Sequence, residues 1–276
     1  MGTGRSARAP FAAAFVALFV FACKGGGGGE QEEAAPEAPA EEAAPAAVAD
    51  AGTVKGVISF EGTPPAPKKI DMSEEPTCAD KHQAMGGAVT EDVVVKDGKL
   101  KNVFVYIKEG LSGTYPKPSA RVTIDQNGCV YNPHVLGIQP GQTLVIKNSD
   151  GLLHNINAKP DQNRGFNISQ PTNMESTRTF TTPEVMIPVE CDVHGWMKAY
   201  IGVLNHPYYA VSGDDGSFSI GNLPPGTYVV EAWHERYGTQ TMSVTVGPNE
   251  SKDVQFTFKA QMAEGAVVPL GRPIHL

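Results

Sequence analysis

A chain of 276 residues has room for one or two ordinary domains, and a formal net charge of -8 with no run of basic residues argues against nucleic-acid binding. The acidity is local: Arg5 and Arg8 give the first 23 residues +2, residues 24–52 carry -6, and only -4 remains downstream. Arg5 and Arg8 precede an apolar stretch from Phe11 to Ala22. That stretch has signal-peptide length and falls short of the roughly 18–20 apolar residues that a membrane-spanning helix needs, so residues 1–23 read as an export signal.

Val20-Phe21-Ala22-Cys23 resembles the lipobox of bacterial lipoproteins, although bulky Phe21 stands where that motif usually has a small residue. The resemblance implies lipidation of Cys23 and an exported, membrane-anchored protein facing the periplasm or the cell surface. Residues 24–52 are Gly, Ala, Glu and Pro with almost no large apolar side chains. Such a segment cannot bury enough surface to offset its ordering entropy, and it is expected to be a disordered tether.

From Val54 onward short apolar-alternating runs are bounded by Gly, Pro, Asn and Asp, and no stretch shows a helical period. The pattern predicts strands near Val54–Phe60, Asp92–Lys96, Val103–Lys108, Arg121–Ile124, Thr143–Lys147, Ser176–Thr181, Met186–Glu190 and Ala199–Leu204. Further strands are predicted near Tyr208–Val211, Ser217–Ile220, Thr227–Trp233, Thr241–Val246 and Val254–Phe258. Turn signals lie between them, among them Asp97-Gly98, Asn127-Gly128, Pro140-Gly141 and Pro224-Pro225-Gly226. Many short strands at this spacing predict an all-β sandwich or barrel.

One loop carries chemistry. Cys191-Asp192-Val193-His194-Gly195-Trp196-Met197 follows an apolar run, and a second histidine lies upstream in Leu152-Leu153-His154-Asn155. Two imidazoles, one thiolate and a weak thioether are the donor set of a type 1 (blue) copper site, where soft sulfur accommodates Cu(I) and imidazole suits both oxidation states. Zinc is disfavoured because methionine is a poor ligand for it. The ligand loop holds a single cysteine, and there are no paired His-x-His motifs, so dinuclear and multicopper-oxidase readings fall away.

The Cys-x2-His-x2-Met spacing, Tyr131-Asn132-Pro133 and the Gly137–Gly141 turn resemble the cupredoxin family, in its amicyanin- and plastocyanin-like branch. The resemblance covers about residues 119–204. It implies a Greek-key β-sandwich holding one copper on His154, Cys191, His194 and Met197. It also implies that the Asn155 amide hydrogen-bonds the Cys191 sulfur while the Asn155 side chain braces the loop. His194 would show its ring edge to solvent as the electron port, with Gly195 and Trp196 in an apolar docking patch. With Cys23 taking lipid and Cys191 taking metal, Cys78 and Cys129 remain as a disulfide pair, in keeping with an oxidising compartment.

Asp215-Gly216-Ser217-Phe218-Ser219-Ile220, followed by Pro224-Pro225-Gly226-Thr227-Tyr228-Val229, resembles the carboxypeptidase regulatory-like family, a small transthyretin-like or Ig-like sandwich with a carbohydrate-binding-like fold. The opening strand of that family is missing after residue 204, but Gly52–Ile58 looks like it. Residues 53–118 and 205–260 are therefore expected to form one sandwich with the cupredoxin domain inserted between them, leaving 261–276 as a tail. Tyr208, Tyr209, Trp233 and Tyr237 are candidates for a glycan platform or for core positions. His134, His206 and His234 read as packed or hydrogen-bonded histidines, the last two with room for a relay role, and His82 and His275 carry no signal. The function expected is electron transfer between redox partner proteins, not catalysis. Copper handling and a carbohydrate-binding or structural module are the alternatives.

Overall fold

The computed structural model describes residues 48–83 and 86–263. The export signal, Cys23, the tether up to residue 47 and the tail beyond Ala263 lie outside the described residues. In chain order the elements are β1 (Gly52–Glu61), helix α1 (Pro76–Gln83), β2 (Val95–Lys96), β3 (Lys99–Leu100) and β4 (Phe104–Glu109). There follow β5 (Val122–Gln126), β6 (Tyr131–Asn132), β7 (Val135–Ile138), β8 (Leu144–Asn148) and β9 (His154–Ala158). Next come β10 (Phe166–Gln170), β11 (Glu175–Arg178), β12 (Glu184–Glu190) and β13 (Lys198–Val203). The chain closes with β14 (Tyr209–Val211), β15 (Ser217–Leu223), β16 (Gly226–His234), β17 (Gly238–Val246) and β18 (Ser251–Lys259).

These strands make two sandwiches, one threaded into the other. The outer sandwich pairs a sheet in the order β15-β1-β3-β2, with β18 added to β1, against a sheet in the order β14-β4-β16-β17. Strand β1 lies antiparallel to β15 and parallel to β18, so the segment before the insertion and the segment after it share one sheet. Alternation drives this: along β18, Val254, Phe256 and Phe258 turn inward onto Ile58, Phe60 and Phe218 while their neighbours face water. The inner sandwich pairs β10-β9-β12-β13-β7 with β11-β8-β5-β6. Its parallel pairs, β13 with β7 and β5 with β8, require the crossovers of a Greek-key fold. Ile124, Leu144, Ile146, Ile156, Ile187 and Ile201 fill its core.

The two sandwiches meet over a glycine pair. Gly137 of β7 and Gly202 of β13 are partners in register. Rings of the outer sandwich lie directly on them: a Cβ at Gly137 would stand 2.2 Å from the Tyr209 ring, and one at Gly202 2.6 Å from the Phe104 ring. Tyr209 and Phe104 stack at 5.4 Å between centroids, and Tyr209 Oη donates to the Gly137 carbonyl at 2.9 Å. Beside this contact His134 Nε2 meets Glu235 Oε1 at 2.5 Å across the junction. Burial alone would depress the His134 pKa, but its hydrogen bond and charge attraction to Glu235 outweigh burial and raise it.

Three sequence expectations change here. Residues 76–83 form a helix where none was expected, because an eight-residue helix that buries only Cys78 has no apolar period to read. Strands β7, β9 and β10 escaped notice, since polar residues occupy much of β9 and β10 and β7 is only four residues long. Tyr208, Trp233 and Tyr237 are buried and Tyr209 packs into the junction, so these four make no exposed glycan platform.

Two outcomes test the junction. Gly202→Ala should lower unfolding free energy by about 1–3 kcal/mol, since the Phe104 ring must shift to admit the methyl group; urea unfolding measures this. Glu235→Gln should cost about 1 kcal/mol at pH 6. A raised folded-state pKa on His134 means its contribution is fully present below the usual value of 6.5 and fades as pH rises through the raised value. The gap between wild type and Glu235→Gln in urea unfolding should therefore shrink from pH 6 to pH 9.

Candidate metal centre

The residues of the centre are placed by strand ends. His154 opens β9, Cys191 directly follows β12, and Met197 directly precedes β13. Because β12 and β13 are antiparallel partners, residues 191–197 must fold back on themselves. The turn is closed by Cys191 N donating to Met197 O at 3.2 Å and Met197 N donating to His194 O at 2.9 Å. His194 N donates to Cys191 Sγ at 3.3 Å. Strand β9 pairs with β12 at Ala158–Val189 and Asn157–Glu190, which carries His154 to the loop.

All four residues are buried, and the His154, Cys191 and His194 donor atoms lie within 4.8 Å of one another. His154 Nδ1 stands 3.0 Å from His194 Nδ1, and His194 Nδ1 stands 3.9 Å from Cys191 Sγ. Met197 packs in the same apolar cluster as Cys191.

What stands behind the imidazoles decides their state. His154 Nε2 lies 2.8 Å from Asp150 Oδ2, and His194 Nε2 lies 3.8 Å from Glu75 Oε2. A carboxylate oxygen only accepts, so His154 Nε2 donates to Asp150 and its other nitrogen, Nδ1, faces inward; Glu75 stands beyond hydrogen-bond reach of His194 and acts on it by charge alone. Two imidazole nitrogens and a cysteine sulfur thus converge in one buried pocket. The donor set therefore fits a metal ion, and carboxylate–histidine pairs of this kind orient metal-ligating imidazoles.

Asp150 is fully buried and fully engaged. It accepts from His154, from the amides of Gly128 (2.9 Å) and Cys129 (2.8 Å), and from Lys81 Nζ (2.8 Å). Burial would raise its pKa, but these four donors outweigh burial and hold it at about 2. His194 is held below the usual histidine range by burial and by neighbouring His154.

Residues 62–83 and 86–92 cross this end of the inner sandwich as a strap built around α1. Cys78 of α1 is joined to Cys129 by a disulfide. Met72, Cys78, Ala88 and Cys129 form a small core, with Trp196 packed on it. His82 Nε2 bonds the Gly128 carbonyl at 2.7 Å.

The strap corrects the expected electron port. His194 is 3% exposed, so its ring edge does not meet solvent. Trp196 packs tilted against His194 at 5.1 Å between ring centroids and donates to Cys129 O at 3.0 Å, so its ring serves the strap contact and not an open docking patch. Asn155 does brace the loop: its Oδ1 accepts from Asp192 N at 3.0 Å. The backbone donor to the sulfur, however, belongs to His194 and not to Asn155.

Sequence reasoning passed over Asp150, Glu75 and Lys81. Asp150 stands four residues before His154, a spacing that could have drawn attention, whereas Glu75 and Lys81 lie far away in the chain and carry no local signal. His206 and His234 pack against Tyr208 and against Tyr237 and Phe258 in the outer sandwich, so neither joins the centre. His275 lies outside the described residues.

Residues 198–259 match the carboxypeptidase regulatory-like domain family. The match begins inside β13, a strand that the structure gives to the inner sandwich. No curated protein matches the chain. Among solved structures, a copper-containing nitrite reductase from Thermus scotoductus SA-01 is 23% identical over 35% of this chain, at a TM-score of 0.29. The matched part spans only 25% of that enzyme's length. A purple cupredoxin from Nitrosopumilus maritimus is 22% identical, covering 30% of this chain and 99% of its own, at a TM-score of 0.26. An amicyanin variant in its oxidised state is 17% identical over 30% of this chain and 82% of its own, with a TM-score of 0.28. The fold is two nested β-sandwiches, the inner one Greek-key, with residues 198–259 matching the carboxypeptidase regulatory-like domain model.

Asp150→Asn removes the acceptor that fixes His154 and should weaken metal binding about 10–100-fold, read by competition with a chromophoric chelator.

Proposed function

We propose that this protein is an electron carrier with one mononuclear type 1 copper, exported and held at a membrane by lipid on Cys23. The observation that carries the reading is the buried convergence of His154, His194 and Cys191 beside Met197, with a carboxylate behind each imidazole. Copper bound there would supply a single electron by cycling between Cu(I) and Cu(II). His154, His194 and Cys191 would hold it, with Met197 as the weak fourth donor.

The protein's own contribution is rigidity and dryness. Asp150 fixes the His154 ring, the turn hydrogen bonds fix His194 and Cys191, and the strap keeps water away. A cage that does not rearrange between oxidation states suits transfer of an electron and leaves no open position for a substrate, so we read the protein as a carrier and not an enzyme. Copper delivery is less well served, because a donor set sealed under a disulfide-linked strap does not hand its ion on readily. The redox partners are proteins that reach the tethered domain from either side, and the outer sandwich supports the inner one at the Gly137–Gly202 junction.

Addition of Cu(II) to the purified protein should produce an intense visible thiolate-to-copper band and a narrow EPR hyperfine splitting. Cys191→Ser should lose both. A pale, ordinary Cu(II) spectrum unchanged by that substitution would overturn the assignment.

A further inference from the structure

The two carboxylates behind the histidines are not equivalent. Asp150 is matched by Lys81 at 2.8 Å, so its charge is balanced within the site. Glu75 Oε2 stands 3.8 Å from His194 Nε2 and pairs with no lysine or arginine among the described residues. Glu75 is also held in place by more than its side chain. Its amide donates to Met72 O at 2.9 Å, and its carbonyl accepts from the amides of Cys78 (3.0 Å) and Ala79 (3.1 Å) as the start of α1. Three residues further on, the Cys78–Cys129 disulfide fastens that helix to the turn whose amides bind Asp150. Buried Met72 and Cys78 seat the strap on either side of Glu75.

We infer that Glu75 is a positioning residue of the metal centre: an uncompensated carboxylate, placed by the disulfide-linked strap 3.8 Å from the His194 ring, that favours the oxidised ion. The inference rests on the copper reading above and adds a residue from outside the inner sandwich to it. The chemistry is electrostatic. Oxidised copper carries one more positive charge than reduced copper, so a fixed negative charge one imidazole away stabilises the oxidised form more. Partial burial keeps that attraction from being fully screened. Asp150, with Lys81 beside it, adds little net charge.

The test is the equilibrium of copper-loaded protein with a one-electron mediator at fixed pH. Glu75→Gln keeps the shape and removes the charge. It should move the oxidised-to-reduced ratio about tenfold toward the reduced form, equal to 59 mV for a one-electron couple. Glu75→Asp should return most of that shift, which a merely structural role would not predict. A ratio unchanged within about twofold in Glu75→Gln, with the blue band intact, would overturn the inference while leaving the copper reading standing. Loss of the blue band in wild type would instead sink the copper reading, and this inference with it.

Discussion

Two imidazole nitrogens 3.0 Å apart and a cysteine sulfur brought together in one buried pocket set the constraint at this end of the protein. The His154 ring is fixed from behind by Asp150, and His194 is placed by its turn, with the Glu75 carboxylate 3.8 Å from it. The rest of this end of the protein follows from that constraint. Asp150 must be ionised to accept the His154 proton, so a buried charge has to be satisfied by two amides and Lys81. Those amides belong to the turn at Gly128–Cys129, and Lys81 belongs to α1. The disulfide between Cys78 and Cys129 closes this circuit covalently. Helix α1 has little apolar surface of its own and is too short to stand alone, so tertiary contacts hold it there.

The circuit also explains the nesting of the two sandwiches. The strap leaves the outer sandwich at the end of β1 and returns to it at β2, having crossed the metal end of the inner one on the way. A sandwich inserted at a single loop would be tied by two linkers only. Here it is tied at four places: at each of its two ends, by the Gly137–Gly202 floor under Tyr209 and Phe104, and by the strap. The outer sandwich thus reaches the metal centre without sharing a sheet with it.

The ligand loop was legible in the sequence for a local reason. Cys191, His194 and Met197 lie within one turn between two predicted strands, and their donor types do not depend on any distant contact. The outer strands were legible as well, because Val254, Phe256 and Phe258, or Phe218 and Ile220, alternate cleanly with polar neighbours. Strand β9 was not, since His-Asn-Ile-Asn-Ala is polar at positions that are nonetheless buried: the site itself satisfies His154 and Asn155. Helix α1 was hidden because one buried cysteine makes no periodicity.

By itself, then, the sequence determined the β character and the order of the two sandwich halves, and it singled out the His154, Cys191 and His194 side chains that the fold brings together, all of which rest on residue type and short-range spacing. The tertiary structure alone decided that His194 is covered, that Asp150 and Glu75 stand behind the two rings, and that Lys81 balances only the first. Those facts depend on where a strap far from the ligand loop comes to rest. Its resting place is set by a disulfide and a small apolar core formed only when residues from three parts of the chain meet.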